Sequence, residues 1–227
     1  MNLPIVLVLV AAGMLVAPIQ TWLMLGGDLS EYMRYDTLPG QVPYVLSKLC
    51  ALFSIEFVWL QALLGLLRRR LTQGSDLAPA SWRRLHGTLG LAALAAMAAH
   101  VLLFVVGTSL RNRVAAIDLF LPWGHGAYRT WVAFGAAAMW LIMLGAAVQL
   151  WRLFRPPARL WLHRLVLVAL MLVGVHSLAI GSESRSGLMT WAYGAMAISL
   201  GMAALDRFFV WHRGKGGRCR DDALPSP

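Results

Sequence analysis

Charge is scarce in this chain: of 227 residues, 13% are Asp, Glu, Lys or Arg, and only 10 are acidic. A soluble domain carries about 25% charged residues, so there is too little polar material to clothe a water-facing globule. Cysteine is nearly absent. Cys50 sits in an apolar stretch and Cys219 near the end of the chain, neither with a neighbouring Cys; that excludes CxxC metal or redox chemistry and speaks against a disulfide framework. Long polar stretches are missing too, and the connections between apolar segments are too short to house a separate soluble catalytic domain. No basic leader precedes the first apolar segment, which begins Met1-Asn2-Leu3-Pro4. A retained helix is expected there rather than a cleaved signal peptide.

What abounds is apolar: 59% of residues are hydrophobic, and the mean hydropathy is +0.66. About 20 apolar residues cross a bilayer. Stretches that meet this length lie at about 3–25, 42–67, 82–107, 129–153, 160–181 and 188–211. The expected fold is an all-α integral membrane protein, a six-transmembrane-helix bundle forming one domain over 1–211, with a short basic tail over 212–227. The net charge of +10 would suggest nucleic acid as a partner in a soluble protein. Here the basic residues stand between spans, where they report topology, and the expected partner is the lipid bilayer. One side collects Arg68, Arg69, Arg70, Arg83, Arg84, Arg152, Arg155, Arg159, Arg164, Arg207, Arg213, Lys215, Arg218 and Arg220. The other has Arg34, Arg111, Arg113, Arg129 and Arg185. That bias of 14 to 5 puts both termini in the cytoplasm and suits a bacterial inner membrane. Asp28, Glu31 and Asp36 make the first outer loop acidic. Tryptophans near span ends, such as Trp22, Trp82, Trp123, Trp161 and Trp191, read as an aromatic belt.

Four of the six histidines fall in the third and fifth spans: His86, His100, His163 and His176. Ionisable side chains within a span are costly and default to function; a buried imidazole bonded to a neighbouring carbonyl is the structural alternative for each taken singly. Both spans run in the same direction. His86 and His163 lie about one turn in, and His100 and His176 lie 14 and 13 residues further, roughly 20 Å along each helix at ~1.5 Å per residue. One ion cannot bridge that gap, so the four form two candidate sites, each taking one imidazole from each helix. Two ligands are too few for a structural zinc, and no Cys, Asp or Glu in these spans completes a shell. A metal that brings four equatorial nitrogens of its own needs only two axial ligands, which describes haem iron. Gly87, Gly90 and Gly174, with the Ala-rich run from Ala92 to Ala99, leave room for a flat macrocycle or for close helix packing. At 100° per residue His86 and His100 share a face, whereas His163 and His176 stand about 140° apart. A bend or π-bulge near Gly174, or helices crossing at an angle, is required to aim both at the same partner.

The two segments read WRRLHGTLGLAALAAMAAH and WLHRLVLVALMLVGVH. In these intervals the chain, from about Pro43 to about Trp211, resembles the ferric reductase-like transmembrane superfamily. Its members include eukaryotic ferric reductases, the NADPH oxidases and the haem-binding membrane subunit of the bacterial periplasmic methionine sulfoxide reductase. The resemblance implies two b-type haems, His86 with His163 on the inner side and His100 with His176 on the outer. The chain departs from the oxidases and eukaryotic reductases in lacking an FAD- or NADPH-binding region. It departs from the sulfoxide reductase subunit, whose third helix does not supply the full pair.

Around these sites, Arg83, Arg84 and Arg164 are candidates for pairing with haem propionates, since guanidinium binds carboxylates bidentately; Arg111, Arg113 and Arg185 are outer analogues. Topology and lipid headgroups account for the same residues. Glu56, deep in the second span with Lys48 about two turns away, suits proton coupling, quinol binding, contact with a haem edge or a simple interhelical hydrogen bond. His125 and Tyr128 lie in the outer loop PWGHGAY, and either flank an acceptor or are ordinary surface. His212 and the tail suit solvent, anionic lipid or an acidic partner.

The function expected is a transmembrane cytochrome b passing single electrons between two bis-histidine haems. Its donor would be a cytoplasmic flavoprotein or quinol, with a flavin or quinone as a further cofactor on that side. Its acceptor would be ferric iron, oxygen or a periplasmic redox partner. The chain would then be the haem-binding membrane component of an oxidoreductase. Two other classes stay open: a proton-coupled transporter or channel built on the intramembrane histidines and Glu56, and a scaffold subunit with structural histidines.

Overall fold

A computed structural model describes residues 3–26, 39–73, 79–151 and 155–221, and these are helical almost throughout. The helices are α1 (Leu3–Gly26), α2 (Gln41–Gln73), α3 (Pro79–Asn112), α4 (Ala127–Trp151), α5 (Pro156–Ile180) and α6 (Gly187–Asp221), with short 3-10 turns at Ile117–Phe120 and Glu183–Arg185. Among the described residues there is no strand. Gln41–Arg68, Ser81–Asn112, Ala127–Gln149, Pro156–Ile180 and Gly187–Phe209 are long and apolar enough to cross a membrane. Their outward surface agrees: Leu91, Met171, Trp191, Ile198 and Met202 are all exposed, as side chains that face hydrocarbon should be.

The starts follow local chemistry. Proline stands at the first position of α3 and at the first two of α5, where its missing N–H costs nothing and its fixed φ suits a helix. Helices α2, α3 and α6 run beyond the expected spans, to Gln73, from Pro79 and to Asp221. Once nucleated, a helix extends cheaply past the apolar run, so the region expected as a tail continues α6 for ten residues. Asp28, Glu31, Arg34, Asp36 and Arg152 lie outside the described residues, as do the side chains of Arg69, Arg70, His212 and the other tail residues.

Helices α2 and α3 pack closely along their lengths, and so do α4 and α5. Between the pairs, α3 and α5 make almost no close backbone contact. They carry the four histidines, so the imidazoles meet across a gap between two hairpins. The core lies beside that gap: Ile55, Val58, Trp59, Ala93, Met97, Met139, Ile142 and Leu170 form one buried cluster. At one end the α2–α3 hairpin closes backbone on backbone. Gly40 holds φ +81°, and a Cβ there or on Gly107 would collide with the other strand of the contact, Gly107 O or Tyr44 N.

On the far side of α2, α1 and α6 complete the bundle. The Leu188 and Met189 N–H groups at the start of α6 donate to Gln20 Oε1 and Thr21 Oγ1 of α1, at 3.4 and 3.3 Å. Donors that a helix leaves orphaned at its N-terminus are thus satisfied from a neighbour. Trp22 donates to the Val45 carbonyl at 2.8 Å. Trp22 and Trp82 are buried, while Trp123, Trp161 and Trp191 are exposed. The belt reading therefore fails for the first two, which point inward to pack.

Candidate functional site

The four histidines fall into the two expected pairs. His86 and His163 face each other with ring centroids 6.1 Å apart and planes at 78°. His100 and His176 line one cavity between α2, α3, α4 and α5. No π-bulge interrupts α5, which is α-helical from Pro156 to Ile180. The 140° offset is taken up by how the helices lie against each other, not by a local defect near Gly174.

The two levels differ in how their rings are held. His100 Nδ1 donates to the Ser47 carbonyl at 2.9 Å, and His176 Nδ1 donates to the Trp131 carbonyl at 2.7 Å. A carbonyl only accepts, so the proton sits on Nδ1 in both and the lone pair is on Nε2. This is the support a metal-binding imidazole receives from its surroundings. At the other level His86 Nε2 lies 3.3 Å from the Gln61 side-chain amide, His163 has the Gly145 backbone as its neighbour, and His86 Nδ1 is buried without a hydrogen-bond partner. Gln61 must therefore give way if Nε2 of His86 is to bind a metal.

These supporting groups repeat the spacing of the histidines. Ser47 and Gln61 of α2 are 14 residues apart, like His100 and His86, because two antiparallel helices packed side by side keep pace with each other. On α4, Gly135 and Gly145 let α5 approach at the two histidine levels. A Cβ on Gly135 would stand 2.8 Å from the His176 ring, and one on Gly145 would press Val166 at 2.7 Å with His163 Cα at 3.9 Å. By contrast, a Cβ on Gly87 or Gly174 would meet nothing within 4 Å, and at Gly90 it would meet the Gln61 amide. Close helix packing thus does not explain Gly87 or Gly174.

Around His100 and His176 the cavity encloses about 800 Å³ of empty space, counting its open mouth, and is walled by Ile55, Met97, Val101, Phe104, Met139 and Val173 with Ser54 and Ser177. That apolar lining with a few convergent polar atoms suits a cofactor or small ligand. A second chamber of about 660 Å³ adjoins it and shares His100, His176, Phe104 and Ser177. Its further walls add the polar side chains of Tyr44, Ser47, Lys48, Tyr128, Glu183 and Ser184 to those of Leu52 and Ile180. Lys48 does not reach toward Glu56. It pairs with Glu183 on the turn after α5 at 2.6 Å, and Ser182 Oγ donates to the same carboxylate at 2.9 Å. Glu183 is 5% exposed, so Lys48→Met leaves a buried charge uncompensated. It is expected to cost about 2 kcal/mol, between surface and fully buried pairs. Adding Glu183→Gln should restore part of that, read as denaturation temperature in detergent.

Other candidates are dispersed. Arg83 and Arg84 are exposed on α3 within a turn of His86, and Arg164 is exposed with its guanidinium 4.9 Å over the Trp161 ring. Arg111 lies 4.5 Å over Tyr44, a wall of the polar chamber, and bonds Gln41. Arg113 and Arg185 are exposed. Of the outer-loop pair, Tyr128 joins the chamber and His125 does not. Glu56 is 1% exposed, and its Oε1 has no hydrogen-bond partner.

Sequence reasoning missed Ser47, Gln61, Trp131, Gly135, Glu183 and Ser184. A polar residue on the second span at the histidine interval was the available signal for Ser47 and Gln61. Backbone acceptors such as Trp131 O leave no trace in residue identity. Among the described residues no group of three or more His, Cys, Asp or Glu side chains is placed to hold a metal ion. No family model matches the chain, and neither the curated proteins nor the solved structures yield a similar one.

Proposed function

We propose that this chain is a transmembrane b-type cytochrome, a six-span bundle of the ferric reductase-like kind with both termini in the cytoplasm of a bacterial inner membrane. In this proposal two haems are held between α3 and α5, one by His86 and His163 and one by His100 and His176. The observation that carries it is the pairing of the four imidazoles across a gap where the helices themselves scarcely touch. His86 and His163, with ring centroids 6.1 Å apart, would hold the group at one level. At the other level the locked tautomers direct a free lone pair from Nε2. A donor set of two nitrogens with no carboxylate or thiolate suits a metal that brings its equatorial ligands.

When bound, haem supplies reversible one-electron chemistry at iron. The protein's part is to hold and insulate. Ser47 and Trp131 orient the imidazoles through their carbonyls, and the apolar walls exclude water. Arg83, Arg84 and Arg164 would pair with the haem carboxylates. In this reading the donor would be a cytoplasmic flavoprotein or quinol, and the acceptor ferric iron, oxygen or a periplasmic protein on the outer side.

A second reading, a proton-coupled transporter or channel, draws on the buried carboxyl of Glu56. The two part on one measurement. The protein purified in detergent is expected to show the reducible visible bands of b-type haem at about two per chain; a folded, colourless preparation retires the cytochrome reading.

A further inference from the structure

The chain between α3 and α4 does not simply cross the end of the bundle. Arg113, just past α3, holds φ +55°, the left-handed conformation that ends a helix and reverses the chain; it is uncommon outside glycine. Ala116 N–H then donates back to Ser109 Oγ of α3 at 2.9 Å, and the 3-10 turn Ile117–Phe120 follows. Trp140 fixes the depth of that turn, donating Nε1 to the Phe120 carbonyl at 2.9 Å. It stands 13 residues into the apolar span Ala127–Gln149, about 20 Å from its start. That is far more than an indole's length, so Phe120 lies within the span and not beyond its end. The chain returns through Gly126, at φ +86°, to begin α4.

Composition and packing agree with that depth. Of residues 114–121 only Asp118 is polar, and it pairs with Arg129 in the first turn of α4. Non-helical backbone is tolerated at membrane depth where it is buried against protein or lines a cavity. Both conditions hold here. Ala116 is buried, Phe120 packs on the cluster that contains Met139 and Ile142, and Leu119 is a wall of the cavity around His100 and His176. Backbone donors are satisfied within the segment as well, Leu119 and Leu121 N–H bonding the Ala116 and Asp118 carbonyls at 3.2 and 3.1 Å. The opposite side is apolar and open: Val114, Ile117 and Leu121 are exposed. The helices joined by the segment expose Leu102 and Val106 on α3 and Met143 on α4, so its open side continues the surface that spanning helices turn toward hydrocarbon.

We propose that residues 113–126 form a re-entrant segment, seated among lipid acyl chains at the His100/His176 end and walling the histidine cavity off from them. Ile117 and Leu121 meet the acyl chains, while Leu119 and Phe120 face inward. Nothing in this placement depends on a cofactor, so it stands or falls separately from the haem proposal.

The test is spin-label accessibility in the full chain, carrying Cys50→Ser and Cys219→Ser and reconstituted in lipid vesicles. Nitroxides are placed singly through Ile117→Cys, Leu121→Cys and Leu119→Cys. Leu102→Cys, exposed on α3, is the lipid reference, and Arg185→Cys, exposed in the turn after α5, is the aqueous one. Collision with oxygen relative to a water-soluble nickel chelate should match the lipid reference at positions 117 and 121, several-fold above the aqueous one. The label at 119 should be immobilised and shielded from oxygen. Only labelled chains that keep the parent's unfolding temperature are compared, and two outward positions guard against the loss of either. An aqueous ratio at 117 or 121 overturns the proposal. So does a label at 119 as mobile and oxygen-accessible as those beside it.

Discussion

Alanine at His100 or His176 is expected to halve the haem recovered with the purified protein, from about two per chain to about one, and alanine at His86 or His163 to do the same. The double variants distinguish pairing from mere number. His100→Ala with His176→Ala removes both ligands of one site and should still leave about one haem. His86→Ala with His100→Ala takes one ligand from each site and should leave almost none, because a single imidazole forfeits the second axial bond. Both doubles delete two imidazoles, so a difference between them reports which histidines share an iron. Equal haem in the two would remove the assignment. The physical ground is that α3 and α5 scarcely touch, so the facing imidazoles supply the metal-binding atoms between them.

The second large effect needs no histidine to change. Gly135→Leu should reproduce His176→Ala, with haem affinity at that site lowered about 10–100-fold. A Cβ on Gly135 would stand 2.8 Å from the ring, and larger atoms must push the imidazole off the Trp131 carbonyl. Nδ1 then loses the acceptor that fixes its proton, and Nε2 loses its aim. Gly201→Leu is the matched control, since a Cβ there meets nothing within 4 Å; its haem content should equal that of the parent. If Gly135→Leu retains both haems at parental affinity, the α4 contact does not position His176.

Much of the architecture was legible before any coordinates. Apolar runs of bilayer length announce helices because a backbone in hydrocarbon has to satisfy its own hydrogen bonds; each expected stretch overlaps a helix, and five of these helices are long and apolar enough to cross a membrane. The two imidazole levels were equally legible, since 14 and 13 residues at a constant rise give equal depth whatever surrounds the helix. Ends were less so. Nothing in Arg68-Arg69-Arg70 or in the basic tail compels α2 or α6 to stop, and both continue. Tryptophan direction was misjudged at Trp22 and Trp82 because membrane-end position says nothing about which way a side chain faces.

Partners across helices were the part that residue identity could not supply. The ring tautomers of His100 and His176 depend on carbonyls, which every residue possesses. The role of Gly135 depends on α5 lying against α4, and the partner of Lys48 proved to be Glu183, distant in sequence, rather than Glu56 on its own helix. Composition and periodicity by themselves determined a membrane bundle with four imidazoles at two depths, because length, hydropathy and rise are properties of one helix at a time. Only the tertiary structure decided which imidazoles face each other, what holds their protons and where the chain between α3 and α4 lies, because those are relations between elements set by packing.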